Sequence, residues 1–294
     1  MSTNNSIPPR KTPPAPLPFR ILRKIFPTLE IITPSLARFI IVRLFFTPFS
    51  FKPRREELDM LATGERFEMN INGNNVIAHS WGKGPLAVLV HGWSGRGMQL
   101  RHFIPSLIKN GYQVISFDAP GHGASEGKQS TLIEFKDTIV EIERLKGEIT
   151  LGVGHSLGGA ALVYAAKEGL KLDRLVTIST PTIPEDIVSE FLKRLNGSSK
   201  MGSAIDDYVY KRTGNHFDYY SVSVNASQIN GLPILAFHDH NDREANIQHA
   251  HHFKLQHNNL ELVETRELGH NRILKDLNVI EKVSEFSKIP RPVI

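Results

Sequence analysis

The chain has 294 residues, enough to bury one large core, and its 40% hydrophobic and 22% charged residues are ordinary for a globular protein. It has no cysteine, which excludes disulfide bonds, a thiolate nucleophile and a cysteine-ligated zinc site. The formal net charge of +5 is unevenly placed, because residues 1–60 carry a net +6 and the remainder −1. We therefore expect no nucleic-acid partner, since such proteins usually carry the basic face on the folded domain.

The N-terminal part of the chain predicts a Pro-rich basic extension followed by an apolar helical arm. Residues 1–19 lack the apolar stretch and cleavage site of a secretory signal, and we expect them to be disordered or extended. Residues 20–26 place three basic side chains on one helical face. Pro34 is typical of a first helical turn, so a helix is predicted over residues 36–46, ending before Pro48.

Two interpretations remain for the arm. A membrane-spanning helix is not expected, because it needs about 20 apolar residues and the run in 36–46 is shorter and contains Arg38 and Arg43. The arm either packs on the core or on a second subunit, or residues 20–46 make peripheral contact with an anionic membrane surface. The absence of cysteine fits a reducing compartment, so we expect a cytoplasmic protein, membrane-associated if the second interpretation holds.

From residue 66 onward short strands alternate with helices. Alternating polarity around the turn 72–75 predicts a hairpin over residues 67–81. The strands that follow are mostly apolar, which indicates a parallel sheet covered on both faces. The predicted strands are 86–90, 114–117, 149–153, 175–178, 234–237 and 260–263. The predicted helices are 99–110, 132–145, 157–168, 244–255 and 273–286.

A segment of about fifty residues, 181–231, separates the fourth and fifth of these parallel strands. It is too long for a plain connection and contains helical stretches and several aromatic residues, so it predicts a small helical insertion. The expected organisation is thus an N-terminal extension and arm over residues 1–60, and an α/β domain over residues 61–294 that contains the insertion.

The segment Gly154-His155-Ser156-Leu157-Gly158 matches the nucleophile-elbow pattern G-x-S-x-G. It lies between a predicted strand and a predicted helix, where a serine at the tip of a sharp turn stands clear of the sheet at a helix N-terminus. The flanking glycines avoid a clash at the tight crossing. We predict Ser156 as a nucleophile; the alternative is a glycine-rich turn without chemistry.

A second glycine-rich turn, at residues 91–95, follows the strand 86–90. A chain leaving the sheet there can aim a backbone N–H at an oxyanion, and we assign the two donors to the N–H groups of Trp93 and Leu157. A plain turn is again the alternative. Residues 117–127, which follow the next strand, predict a structural turn in which His122 is a turn residue rather than a catalyst.

The acid and base are expected after later strands. Asp239 and Asp242 both follow the strand 234–237, and we favour Asp242 because its loop can reach sideways to a histidine. Either aspartate could instead cap the next helix. His270 follows the strand 260–263, and the chain order Ser156, Asp242, His270 is that of a Ser-Asp-His triad on a parallel α/β scaffold. Ser156 would attack a carbonyl, His270 would move its proton, and Asp242 would orient the imidazole.

Neither a metal nor a cofactor is expected. His249 and His252 are about one helical turn apart, but no carboxylate nearby completes a ligand set, so a solvated helix face is the favoured interpretation.

Taken together, these motifs resemble the α/β-hydrolase superfamily over about residues 66–290. Residues 121–127 are also similar to the monoglyceride-lipase and lysophospholipase branch. The resemblance implies an α/β-hydrolase fold, with a mostly parallel central sheet, helices on both faces, and a small helical cap over the acyl pocket formed by residues 181–231. One departure is Asp239, which stands where relatives commonly carry glycine.

The resulting prediction is a serine hydrolase, esterase- or lipase-like, that cleaves a small-molecule carboxylic ester through an acyl-enzyme. Lipid esters and thioesters are candidate substrates. Acyl transfer and amide or peptide cleavage use the same triad, and a non-catalytic binding protein on this scaffold is an alternative of another class. Epoxide hydrolases and dehalogenases of this fold are not favoured, because they carry aspartate where Ser156 stands. The oligomeric state is not predicted.

Overall fold

The computed structural model describes residues 17–229 and 231–288. Within these residues eight strands form a single sheet. The strands are β1 (Glu65–Ile71), β2 (Asn74–Trp81), β3 (Leu86–Val90), β4 (Gln113–Phe117), β5 (Ile149–His155), β6 (Leu172–Ile178), β7 (Ile234–Asp239) and β8 (Leu260–Thr265). Their spatial order is β1-β2-β4-β3-β5-β6-β7-β8. The β1–β2 and β2–β4 pairs are antiparallel, and the remaining pairs are parallel.

The central strands are buried on both faces. Every residue of β3 and of β5 is buried, which is why both read as apolar or glycine-rich runs without alternation. In the register of this pair Val90 lies opposite Gly154, so the two strands end at the same level of the sheet. The turns that follow them are therefore neighbours.

Helices cover both faces of the sheet. The helices of the described residues are α1 (Leu17–Ile32), α2 (Pro34–Phe45), α3 (Arg55–Leu61), α4 (Ile104–Lys109), α5 (Leu132–Lys146), α6 (Leu157–Lys167), α7 (Pro184–Leu195), α8 (Gly202–Thr213), α9 (Val222–Asn225), α10 (Gln248–Gln256), α11 (Gly269–Arg272) and α12 (Leu277–Ser287). On one face α5 and α6 pack through a cluster that includes Phe135 and Ile139. On the other, α4 and α12 pack through a cluster that includes Leu107 and Val283.

The insertion expected at residues 181–231 lies between β6 and β7. It contains α7, α8 and α9 together with short 3₁₀ turns, and Asn230 falls outside the described residues. The N-terminal helices α1 and α2 pack on this insertion, where Phe26 and Ile41 share a buried cluster with Leu192 and Leu195. We call α1 and α2 with the segment that follows, residues 17–55, the arm.

The arm begins earlier than the sequence indicates. The extended chain expected over residues 1–19 lies outside the described residues up to 16, and residues 17–19 are helical. The helix also continues through Pro27, although an interior proline removes one backbone hydrogen bond. Burial of the neighbouring Phe26 against the insertion compensates for that loss. The boundary expected after residue 60 falls inside α3, and residues 289–294 of the expected α/β domain are not described.

Other predicted helices are broken where side chains or prolines interrupt them. The helix expected over 99–110 is a 3₁₀ turn, Gly97–Phe103, followed by α4 with Pro105 in its first turn. The helix expected from residue 244 begins only at Gln248. The last predicted helix is a 3₁₀ turn, Ile273–Lys275, followed by α12. None of the helices in the described ranges has the length and apolarity needed to cross a membrane.

Candidate active site

The four loops that carry the predicted site residues leave the sheet at one edge. Trp93 follows β3, Ser156 follows β5, Asp242 follows β7 and His270 follows β8. Because these strands are parallel, their carboxyl ends lie at the same edge, which is where open α/β sheets place their ligands.

Ser156 has the backbone conformation of an elbow residue. Its φ of 51° and ψ of −119° are rarely adopted by a residue with a side chain, and its N–H donates to the carbonyl of Ile178 at 2.9 Å. The following turn passes so close to β3 that a Cβ at Gly158 would lie 2.2 Å from the carbonyl oxygen of Val90. Glycine is thus required at position 158, two residues after the serine, by the close approach of the two backbones.

His270 and Asp242 are hydrogen-bonded. Nδ1 of His270 lies 2.8 Å from Oδ2 of Asp242, and the two side chains are 9% and 0% exposed. Oδ1 of Asp242 accepts the N–H groups of Glu244 and Ala245 at 2.8 and 3.0 Å, so both carboxylate oxygens are satisfied. These two bonds turn the chain at residues 244–245, which explains why α10 starts late. His270 lies in the short helix α11 rather than in a loop.

The electrostatics of this pair favour an ion pair. Burial of the Asp242 carboxyl acts to raise its pKa, but the hydrogen bond to His270, the charge of that ring and the N–H groups of Ala245 and Glu244 together outweigh burial, and the pKa lies below its ordinary value. Burial of the His270 ring acts to lower its pKa, but the hydrogen bond to Asp242 and the charges of Glu244 and Asp242 together outweigh burial, and the pKa is raised. The arrangement stabilises an imidazolium at His270, as a general base requires after it has taken a proton.

Asp239, the other candidate acid, is occupied elsewhere. Its Oδ2 accepts from Oγ1 of Thr265 at 2.7 Å and from the N–H of Leu268 at 3.0 Å, and its Oδ1 accepts the N–H of Asn241. Asp239 thereby joins the loops after β7 and β8. The two aspartates therefore have different partners. Asp242 is bonded to His270, whereas Asp239 connects the segments after β7 and β8 that carry Asp242 and His270.

The loop after β3 lies against the elbow. A Cβ at Gly92 would be 3.0 Å from the Cβ of Ser156, so the backbone approaches the serine as closely as glycine allows. Among the residues that the structure describes, no acceptor is found for the backbone N–H of Trp93 or of Leu157. Both residues line the same cavity as Ser156. Two unpaired donors beside a serine are what an oxyanion hole requires.

Three side chains that the sequence did not single out for this purpose hold the loop after β3. Oε1 of Gln99 accepts the N–H of Gly92 at 2.9 Å, and Nε2 of His122 accepts the N–H of Ser94 at 3.1 Å. Nε2 of His91 accepts the N–H of Ala119 at 3.0 Å.

Burial lowers the pKa of His91 to about 4 and that of His122 to about 3. Both rings are therefore neutral, and each can donate its Nδ1–H to a backbone carbonyl, that of Gly92 or of Pro120. His122 is a turn residue, as its position suggests.

His155, the residue before the serine, links the elbow to His270. Its Nε2 lies 2.8 Å from the carbonyl oxygen of His270, which only a donor N–H can satisfy. Burial lowers the pKa of this ring to about 3, so it is a neutral donor. The pattern G-x-S-x-G leaves this position unspecified, and its role becomes visible only when the loop after β8 is in place.

A cavity of about 250 Å³ opens beside Ser156 and His270. Its walls are mostly apolar and come from the insertion, from α2 and from the loop after β3. They include Phe45, Phe46, Trp93, Ile187, Phe191, Phe217 and Val222. Glu190, Arg194, Arg212 and Glu244 add charged groups to the lining. An apolar cavity with a few polar groups near one end is typical of a small-molecule site.

The solvated helix face expected for His249 and His252 is wrong for His249, which lies in the interior. His249 is buried, and its Nδ1 accepts the N–H of Thr182 at 3.2 Å. In the described ranges no cluster of three His, Asp or Glu side chains has the arrangement of a metal site.

Comparison with known proteins agrees with the architecture. Residues 87–250 match the model of the alpha/beta hydrolase family. The chain is 31% identical over 121 residues to the AB hydrolase superfamily protein YfhM of Bacillus subtilis, a match that covers 38% of this chain and 42% of that protein. It is 32% identical over 87 residues to the magnesium-chelatase 30 kDa subunit of Rhodobacter capsulatus, over 28% and 30% of the two chains. It therefore spans less than half the length of either curated relative.

Among solved structures, an esterase of Pyrococcus furiosus superposes with a TM-score of 0.63 at 18% identity, over 82% of this chain and 98% of that one. At this identity the likeness concerns the fold. Because the family match spans more than half of the sequence, the chain belongs to the alpha/beta hydrolase family. Its central sheet and flanking helices are those of an α/β-hydrolase fold.

Proposed function

We propose that this hydrolase cleaves carboxylic esters with an apolar acyl group, using Ser156 as nucleophile, His270 as general base and Asp242 as its orienting acid. The observation that carries the proposal is the hydrogen bond between His270 and Asp242 at the rim of a cavity that Ser156 also lines. The three residues follow three separate strands at one edge of the sheet. Their convergence supports a chemical role rather than a structural one.

The proposed reaction runs in two halves. Oγ of Ser156 attacks the ester carbonyl while Nε2 of His270 accepts its proton, and the backbone N–H groups of Trp93 and Leu157 donate to the oxyanion. The tetrahedral intermediate expels the alcohol, which receives the proton from His270, and leaves an acyl-serine. Water then attacks this acyl group, again giving its proton to His270, and the carboxylic acid leaves as Ser156 recovers its proton.

The lining of the cavity supports an apolar acyl group as the recognised part of the substrate. The arm and the insertion contribute six aromatic side chains to the wall of the cavity that Ser156 lines: Phe45, Phe46, Phe191, Tyr208, Phe217 and Tyr220. Burying a hydrocarbon chain against them is favourable in proportion to the area removed from water. The Pyrococcus furiosus neighbour is named an esterase, which agrees with the proposed reaction class.

The test is hydrolysis of a panel of nitrophenyl esters, from acetyl to palmitoyl, by the wild type and by Ser156→Ala. We expect wild-type turnover that falls by about 10⁶-fold in the variant, the order of loss seen when a triad serine is removed. Ser179→Ala is the matched control, because Ser179 also follows a strand and has a positive φ of 51°. This variant should keep the wild-type activity.

Labelling distinguishes the competing functions. A serine-directed phosphonate should modify the wild type at Ser156 and leave Ser156→Ala unmodified. Labelling without ester hydrolysis would instead favour amide cleavage or acyl transfer on the same residues. Equal hydrolysis by wild type and Ser156→Ala would contradict the assignment of the nucleophile. The absence of both labelling and hydrolysis would favour a binding protein.

A further inference from the structure

The outer face of α1 is an exposed apolar stripe. Leu17, Ile21, Ile25 and Ile32 fall within an arc of about 80° on the helix and are 65%, 51%, 51% and 72% exposed. The fully buried Phe26 lies on the opposite side. An ordinary surface helix has the reverse arrangement, with its polar residues facing outward.

The apolar surface continues on α2 and beyond it. Leu36 and Phe39 are 47% and 61% exposed and lie on one face of α2, followed in sequence by the exposed Phe49 and Phe51. Of the seventeen large hydrophobic side chains that are exposed in the described residues, nine lie between residues 17 and 51. The exposed apolar surface of the molecule is therefore concentrated on the arm.

Packing fixes which way these faces point. The buried residues of both helices, Phe26 on α1 with Ala37 and Ile41 on α2, join one cluster with residues of the insertion. Since both inner faces contact the insertion, both outer faces are directed away from it. The stripe of α1 and the exposed face of α2 thus form an outward apolar surface.

The charge of the arm indicates what would cover this surface. Residues 17–55 contain eight Lys or Arg and one acidic residue, Glu30. Arg20 and Lys24 are exposed at the edge of the α1 stripe, and Arg43 is exposed on α2. Arg38, in contrast, is already bound to Asp207 at 2.5 Å. We propose that the arm docks on an anionic membrane, with the outer faces of α1 and α2 inserted at the boundary of headgroups and acyl chains.

An anionic bilayer fits better than a second copy of the chain. In a symmetric dimer that joined two such faces, the exposed cations of one arm, among them Arg20, Lys24 and Arg43, would meet those of the other, with Glu30 as the only acid of each arm. Anionic headgroups neutralise these charges while the acyl region receives the apolar side chains.

The docking surface is also joined to the cavity of the candidate active site. Phe45 and Phe46, at the end of α2, line the cavity, and Phe45 packs edge-to-face on Phe191 and Phe217 of the insertion. The helix that faces the bilayer thus supplies part of the wall beside Ser156. This extension rests on the proposed function: an ester embedded in the membrane would reach a site whose wall is part of the docking element.

Co-sedimentation of the full chain with vesicles tests the docking itself. We expect binding to vesicles of phosphatidylglycerol and phosphatidylcholine, weaker binding to phosphatidylcholine alone, and a decrease as salt is raised. The triple variant Ile21→Gln, Ile25→Gln, Phe39→Gln should weaken binding by about tenfold or more, because it removes apolar area while keeping a good helix former.

The matched control is Leu255→Gln with Leu277→Gln, which changes two side chains that are 80% and 79% exposed on α10 and α12. It should bind like the wild type. Equal binding of both variants would overturn the proposal. So would a dimer in light scattering that forms through the arm and excludes vesicles.

Hydrolysis of an ester carried in the same vesicles tests the link to the cavity. The triple variant should lose activity on the embedded ester in parallel with its loss of binding, while keeping its activity on nitrophenyl acetate in solution. Vesicle binding without hydrolysis of any ester would leave the docking surface intact and contradict only the proposed function.

Discussion

The carboxylate of Glu244 lies 4.0 Å from Nε2 of His270, while Nδ1 of the same ring is hydrogen-bonded to Asp242. Burial acts to lower the pKa of His270, but the hydrogen bond to Asp242 and the charges of Glu244 and Asp242 raise it above its ordinary value of 6.5. Because only the neutral ring can accept the serine proton, kcat/KM should fall as the pH drops through a pKa that lies above 6.5.

The charge of Glu244 can be removed without touching the triad. In Glu244→Gln we expect the pKa of His270 to decrease, so that the acidic limb of the kcat/KM profile moves to lower pH. Glu261→Gln, a change at an exposed acid on β8, serves as the control and should leave the limb in place. An unchanged profile in Glu244→Gln would contradict the assigned electrostatic role.

The two aspartates after β7 should separate catalysis from stability. Asp242→Asn keeps the shape of the side chain but disturbs the imidazole tautomer, so kcat should fall by about 10⁴-fold with little change in folding. Asp239→Asn replaces one of the two acceptor oxygens by an NH2 group, so at least one of the backbone N–H groups of Asn241 and Leu268 loses its acceptor. This should cost about 1–3 kcal/mol of unfolding free energy, with kcat within about tenfold of the wild type. Esterase kinetics and denaturant unfolding measure both, and a reversed pattern would exchange the roles.

Gln99 offers a test of the loop that carries the proposed oxyanion donor. In Gln99→Met the N–H of Gly92 loses its acceptor, and the neighbouring N–H of Trp93 is no longer held in position. We expect kcat to decrease by about tenfold or more while KM changes little, because the donor acts on the transition state. Gln256→Met, at an exposed glutamine on α10, is the control. A rise in KM with unchanged kcat would place Gln99 in substrate binding instead.

The contribution of the arm to the cavity predicts a change of chain-length preference. Phe45→Ala removes a ring from the cavity wall, so the preferred nitrophenyl ester should become longer, with the rate on the acetyl ester within about threefold of the wild type. Phe39→Ala changes an exposed ring on the same helix and should keep the preference for esters that are monomeric in solution. The same optimum in all three proteins would show that Phe45 does not contact the acyl chain.

Much of the sheet and of the site was predictable because both depend on local patterns. Buried strands appear as apolar runs, and the elbow is determined by a backbone crossing that demands glycine at Gly158. Asp242 and His270 follow from their position after consecutive strands, since parallel strands bring their carboxyl ends together. The roles assigned to these residues remain predictions for the kinetic tests above.

What the sequence did not indicate depends on partners distant in the chain. His91 and His155 each satisfy one backbone group in another loop, that of Ala119 and that of His270, and nothing in their own neighbourhood marks them for that task. Gln99 is the exception, since it accepts the N–H of Gly92 within the same connection between β3 and α4. The start of α1 at Leu17 and its passage through Pro27 depend on burial of Phe26 by an element more than 150 residues later. Local propensity favours a break of the helix at Pro27, and tertiary packing keeps the helix continuous.

The hydrogen bond from His155 to the backbone of His270 has a consequence for protein engineering. It joins the turn at Ser156 to the turn after β8, so the pentapeptide at residues 154–158 is not an interchangeable module. A graft of another protein's G-x-S-x-G sequence that lacks a donor at the second position would leave the partly buried carbonyl of His270 unpaired. Such a chimaera would keep the serine in its turn but misplace His270. Restoring histidine at position 155 should return His270 to its position.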